Sequence, residues 1–157
     1  MMERVAGYVP IVLIVTAVFT VIELGLMAYV VSPYSQSRSE PPSAKSFMMF
    51  NTVWSLLVLG YLALIPRYFP RFFHRLAPLI ITAITVIFWF AGSIALAANF
   101  SYPYCGGNTY CGTLNAAVAF GFFLWALFTY LLAVYAWEFL RSRERPTTTT
   151  AKPYVGA

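Results

Sequence analysis

Apolar residues fall into four long runs separated by short polar breaks. The first, Tyr8 to Val31, is interrupted only by Glu23; the second, Phe47 to Ile65, carries Asn51 near its start. The third, Leu76 to Ala98, and the fourth, Leu114 to Trp137, carry no charge. Crossing the hydrocarbon of a bilayer takes about 20 residues of helix. Within an isolated apolar run, only a helix satisfies every backbone group in lipid. The pattern therefore predicts an all-α membrane protein, a four-transmembrane-helix bundle with short loops. Ser32-Pro33-Tyr34-Ser35 ends the first span, Pro41-Pro42-Ser43 lies in the first loop, Pro66-Arg67 ends the second span, and Gly106-Gly107-Asn108 marks the third turn. Pro146 and Thr147 to Thr150 begin a polar stretch that cannot bury a core. The expected division is a transmembrane domain over 1–141 and a disordered cytosolic tail over 142–157.

Composition strengthens this picture. Of the 157 residues, 61% are hydrophobic and 10% charged, against about 45–50% and 25% in soluble domains. So many apolar side chains must face lipid as well as each other. Charge then orients the spans. Arg4, Arg67, Arg71, Arg75, Arg141, Arg143, Arg145 and Lys152 lie on one side, and only Arg38 and Lys45 on the other. The positive-inside rule places both termini in the cytosol. The net charge of +5 thus marks topology, and nucleic acid is not an expected partner. The first span is longer than a signal-peptide apolar core and no small-x-small cleavage site follows it, so it is expected to stay in the protein.

Few side chains carry candidate chemistry. Cys105 and Cys111 are the two cysteines, both in the third loop, on the extracytosolic and oxidising side, where a small disulfide-closed loop is expected. Two free thiols are the alternative, or one palmitoylated thiol if the topology is inverted. Glu23 is the one acid deep in a span, where ionisable groups are costly and often functional. Ser55 stands at similar depth on the second span and Asn51 one turn further out. Glu23 is expected to help hold the first two helices together; a role in transport is the competing reading.

Helical spacing puts Thr16, Thr20, Glu23 and Met27 on one face, Thr82, Thr85, Trp89 and Ser93 on another, and Ala117, Gly121 and Trp125 on a third. Small residues on such faces let helices approach closely. Trp89, Gly92, Ala117, Gly121 and Trp125 are therefore read as packing positions, with Leu131 facing lipid; a ligand groove lined by Trp89 and Trp125 is the other reading. Arg67, Arg71 and Arg75, interleaved with Phe and Tyr, and Arg141, Arg143 and Arg145 suit anionic headgroups. Asn99-Phe100-Ser101 matches the N-glycosylation pattern but abuts the membrane too closely for modification.

Enzyme signatures are missing from the sequence. One histidine, His74, cannot build the iron sites of intramembrane desaturases, and it lies across the membrane from the cysteines, so no zinc site is expected. No nucleophile has a neighbouring base, and no CxxC motif occurs. No catalytic residue, metal or cofactor is expected.

Several segments in order carry a family likeness. They are Gly25-Leu26-x-Ala28-Tyr29 at the end of the first span, Phe50-Asn51 opening the second, and Phe88-Trp89-Phe90-Ala91-Gly92 in the third. Cys105 and Cys111 follow, then Asn115-Ala116-Ala117-Val118-Ala119-Phe120-Gly121 and Trp125. In this order they resemble the MARVEL domain family, especially its fungal plasma-membrane branch, over about Arg4 to Arg141. Claudin-like proteins differ in carrying their cysteine pair in a longer first loop. The resemblance implies a four-helix bundle that acts in membrane organisation or vesicle trafficking at the plasma membrane, in microdomains of the eisosome type. It implies membrane lipids as partners, with sterols and sphingolipids as candidates, together with other membrane proteins or further copies of the chain. It brings no catalytic residues, and Glu23 belongs to none of its motifs.

Overall fold

The computed structural model describes residues 2–36, 43–68, 76–100 and 106–143. They form four helices: α1 (Met2–Gln36), α2 (Ser43–Tyr68), α3 (Leu76–Phe100) and α4 (Thr109–Arg143). All four are long and apolar enough to cross a membrane. Each packs on its neighbours in sequence, and α4 closes the ring against α1. The diagonal pairs, α1 with α3 and α2 with α4, stay more than 8 Å apart at Cα. Short connections between long helices give this up-and-down arrangement. The end carrying Ser43 and the Gly106–Asn108 turn is called the upper end below.

Several helix ends differ from the sequence reading. The first span was expected to stop at Ser32-Pro33, yet α1 runs through Pro33 to Gln36. Proline has no N–H to give the carbonyl one turn back. Here the Ser32 hydroxyl donates to that carbonyl, Tyr29 O, at 2.8 Å. Likewise α2 passes Pro66 and ends at Tyr68. At the third turn, Gly106 and Gly107 adopt φ of 53° and 80°, a left-handed conformation that glycine adopts freely. The Asn108 side-chain oxygen then accepts from the N–H groups of Tyr110 (3.0 Å) and Cys111 (3.3 Å). This is an N-cap, and it starts α4 five residues before the expected Leu114. Cys111 therefore sits in the first turn of α4, not in a loop. At the other end α4 continues to Arg143, past the expected boundary at 141. Residues 144–157, the rest of the expected tail, lie outside the described residues.

The core lies on the bundle axis. Met27, Val30, Met48, Trp89, Leu96, Leu114, Ala117, Leu124, Phe128 and Leu131 are all buried. The outer surface is apolar too: Ile14, Val18, Val21, Leu57, Ile87 and Phe123 are exposed on all four helices. An apolar belt of that extent is expected only where lipid replaces water. Leu131 was expected to face lipid, but it is fully buried. It belongs to the row Gly121, Leu124, Phe128 and Leu131, whose three- and four-residue steps keep one helix face turned to the core.

Candidate functional site

The interior is polar along three helices. Thr16, Thr20 and Glu23 on α1, Lys45, Asn51, Thr52 and Ser55 on α2, and Thr82, Thr85 and Ser93 on α3 are all buried. Some of these groups are satisfied locally. The hydroxyls of Thr16, Thr20, Thr52 and Thr85 each donate to a carbonyl one turn back at 2.7–2.8 Å. Others tie helices together. The Trp89 indole N–H donates to Ser55 Oγ at 2.8 Å, and the Trp54 indole to Thr85 Oγ1 at 3.1 Å. A buried indole needs such a partner, and these two bonds fix the register of α3 against α2.

Glu23 makes no hydrogen bond to the second helix among the described residues. It is fully buried, yet among the described residues neither carboxyl oxygen has a hydrogen-bond partner. Ser55 is engaged by Trp89 instead. Both polar atoms of Asn51 are also unpartnered, as are the hydroxyls of Ser93 and Thr82. Native structures pair most buried polar groups, so exceptions call for an explanation.

The packing positions separate into core and seam. Trp89, Gly92, Ala117 and Gly121 are buried. A Cβ on Gly92 would lie 2.6 Å from Met48 Sδ, and one on Gly121 2.5 Å from Ser93 Oγ. Both glycines mark close approach, Gly92 to α2 and Gly121 to α3, where an added Cβ would displace the facing side chain. Trp125 does not share the buried face with Ala117 and Gly121 as expected. It is half-buried in the α3–α4 seam, its ring 5.5 Å from that of Phe90. A groove lined jointly by Trp89 and Trp125 is excluded, because Trp89 is sealed inside the bundle.

Aromatic rings line the seams on the lipid side. Phe47, Phe50, Trp54 and Phe88 cluster between α2 and α3 with centroids 5.7–6.3 Å apart. Phe19 meets Phe120 and Phe123 between α1 and α4 at 5.4 and 6.3 Å. Of the basic candidates, Arg67 and Arg143 lie in the last turns of α2 and α4, and Arg141 is exposed on α4. Arg71, Arg75, Arg145 and Cys105 lie outside the described residues.

Sequence reasoning missed one group altogether. Lys45 was counted as an outer-loop charge, but it is only 2% exposed. Its ammonium donates to the Tyr110 hydroxyl at 2.8 Å and lies 5.3 Å from the ring centroid. Tyr110 in turn donates to Val30 O at 3.4 Å. This chain joins α2, α4 and α1 at the upper end. The Asn108 cap that starts α4 one turn early is what brings Tyr110 there, and the Gly-Gly-Asn sequence was its available signal.

A family model described as a membrane-associating domain matches residues 6–134. No curated protein and no solved structure matches the chain.

Proposed function

The chain belongs to the MARVEL family of membrane-associating domains, and on that premise we propose that this multi-pass membrane protein organises lipid and protein domains, or membrane trafficking, at the plasma membrane. It does so without catalysis, by lateral association with lipids and with other membrane proteins, including its own copies. The observation that carries this reading is the set of lipid-facing aromatic seams, above all Phe47, Phe50, Trp54 and Phe88. Rigid rings on a helix surface offer large contact area at little conformational cost. Phe50, 52% exposed, is the most accessible of the four rings in this cluster. The test is lateral distribution: fluorescently tagged chain is imaged in its own plasma membrane, with Phe50→Ala and Phe123→Ala compared at equal abundance. Uniform distribution of the wild type, or clustering that neither variant changes, removes the reading.

Two features complete the proposal. Both termini face the cytosol, supported by eight of ten basic residues on that side; protease cleavage of the tail from outside intact cells would refute it. A Cys105–Cys111 bond closes the turn above α4. It is supported by Cys111 not being a free thiol and by Cys105 being the other cysteine of the sequence. Alkylation finding two free thiols in the mature protein rejects it. A small transporter or channel subunit using Glu23 is the second reading, favoured by the unpartnered state of that carboxyl.

A further inference from the structure

We propose that the outer apolar belt of the bundle selects long-chain phospholipids, those whose bilayer has a hydrocarbon core about 32 Å thick. The inference rests on the reading of this chain as one that associates laterally with lipid, and it names the lipid. On α1 every exposed residue from Tyr8 to Val31 is apolar or aromatic, and Ser32 is the next exposed polar group. Thr16, Thr20 and Glu23 all turn inward. On α3 the apolar outer face runs from Leu76 to Ala98, ended by the exposed Asn99; Thr82, Thr85 and Ser93 are buried. On α4 the stretch from Ala116 to Trp137 exposes only apolar and aromatic residues, and the exposed Glu138 ends it. The Thr129 hydroxyl within that stretch donates to Trp125 O at 2.7 Å. At about 1.5 Å per residue these three faces are about 35, 33 and 32 Å tall. With the average tilt of membrane helices, about 20°, they span about 30–33 Å.

The outer face of α2 is shorter, about 26 Å from Phe47 to Leu64, and Lys45 lies just above it. Yet Lys45 does not meet lipid. It is buried, and its ammonium donates to the Tyr110 hydroxyl inside the bundle. Between Ser43 and Phe47 the exposed residues are two serines, and a hydroxyl costs far less in hydrocarbon than a charge. Turning Lys45 inward therefore lets hydrocarbon cover α2 over the whole span Ser43–Leu64, about 32 Å.

A belt taller than the hydrocarbon must tilt, kink or thicken the bilayer around it, at a cost that grows with each ångström of mismatch. An endoplasmic reticulum bilayer of about 27 Å leaves about 3–6 Å of this belt unmatched, whereas a plasma-membrane bilayer of about 32–33 Å covers it. Single helices are not free to tilt further, because the bonds from Trp89 to Ser55, Trp54 to Thr85 and Lys45 to Tyr110 hold them to their neighbours. Tilting the whole bundle lifts one edge of the belt as it sinks the other. The bilayer adjusts instead, and long acyl chains gather around the protein.

The test uses the full chain, highly diluted in vesicles of single monounsaturated phosphatidylcholines of increasing chain length. Hydrocarbon thickness is measured by X-ray scattering and thermal unfolding by tryptophan fluorescence. The midpoint should be highest near about 32 Å and roughly 5 °C lower at about 27 Å. Ile94→Lys, on the exposed face of α3, lowers the upper rim of that face by about 7 Å and should move the maximum to thinner bilayers. Phe50→Ala should leave the maximum in place; a maximum lost with that ring puts the preference in the aromatic seam and overturns the belt. A midpoint that does not vary with thickness, or one highest at about 27 Å or below, overturns it too, as does a maximum that Ile94→Lys leaves unmoved. Should Ile94→Lys not fold, the wild-type curve decides by the first two of these outcomes. Clustering in cells is not read here, so failure of the organising role and failure of the lipid preference appear in different measurements.

Discussion

The buried faces of α2 and α4 look at each other across the bundle and are built on opposite plans. α2 turns Lys45, Asn51, Thr52 and Ser55 inward along its upper half, and Val58, Leu59 and Leu62 below. α4 turns inward Cys111, Leu114, Ala117, Gly121, Leu124, Phe128, Leu131 and Val134, a face that is apolar apart from one sulfur. Lipid gives helices little hydrophobic reason to associate, so packing and hydrogen bonds must do so. α4 uses the first means: a notch at Gly121, large side chains below it, and aromatic seams on both flanks. α2 uses the second, through Ser55 to Trp89, Trp54 to Thr85 and Lys45 to Tyr110. Shape specifies one helix and polar pairing the other; among the described residues with unpartnered buried polar atoms, Asn51 lies on α2 and none on α4.

The comparison breaks most completely at Gly121. A Cβ there already meets Ser93 Oγ at 2.5 Å and Met48 Cε at 3.4 Å. Ser93 Cβ itself stands 3.5 Å from that position, so turning the hydroxyl aside makes room for a methyl but not for a leucine side chain. Gly121→Leu should force α4 away from α3 and abolish a stable bundle, read as loss of the folded monomer in mild detergent and of export from the endoplasmic reticulum. Normal folding of this variant would show that α4 is not held by shape. Next comes Leu131→Ala. Emptying a buried leucine site costs about 2–5 kcal/mol, and Leu131 is fully buried whereas Phe123 on the same helix is 59% exposed. Thermal or chemical unfolding should rank Leu131→Ala well below Phe123→Ala; equal losses would show that the buried row does not hold α4 in place.

How much of this was legible follows from the same two helices. Four spans and the packing role of Gly121 were readable because apolar length and small-residue spacing are local properties of the sequence. Leu131 was misplaced because a uniformly apolar helix offers no contrast between its lipid and core faces. Only continuing the row from Gly121 in steps of three and four finds it. The passage of α1 through Pro33 and the start of α4 at Thr109 were set by a single hydroxyl and a single amide oxygen, of Ser32 and Asn108, acting on the backbone. Lys45 was invisible as a buried group because its partner, Tyr110, lies 65 residues away in sequence. Glu23, Asn51 and Ser93 were legible as polar residues in apolar spans, but that each stays unpartnered among the described residues depends on the register between helices.

On the polar side the clearest single bond is Trp89 to Ser55. Trp89→Phe keeps most of the ring and removes the N–H, leaving the Ser55 hydroxyl without its donor. A net hydrogen bond contributes about 0.5–1.5 kcal/mol, and an orphaned buried partner costs about 1–3 kcal/mol. The expected loss is therefore smaller than for Leu131→Ala. The double variant with Ser55→Ala should recover part of it, because both partners are then absent. If the two losses simply add in unfolding measurements, the indole and hydroxyl are not coupled and α2 is not held by this bond.

The smallest effect is expected where the two plans are exchanged. Asn51→Leu places on α2 the kind of side chain that α4 uses throughout. Asn51 makes no hydrogen bond in the described structure, so the substitution removes two buried, unpartnered polar atoms and breaks no pair. Replacing such a group by an apolar one of similar size can be neutral or stabilising. Asn51→Leu should shift the stability of the bundle by less than about 1 kcal/mol. The reverse exchange, Leu131→Asn, plants an unpartnered amide against Phe128 and Val134 and should cost several times as much, since an unpaired buried amide alone loses about 1–3 kcal/mol beyond the lost packing. A large loss for Asn51→Leu would show that Asn51 is already paired within the bundle, and would turn the contrast between the two faces into one of pairing strength alone.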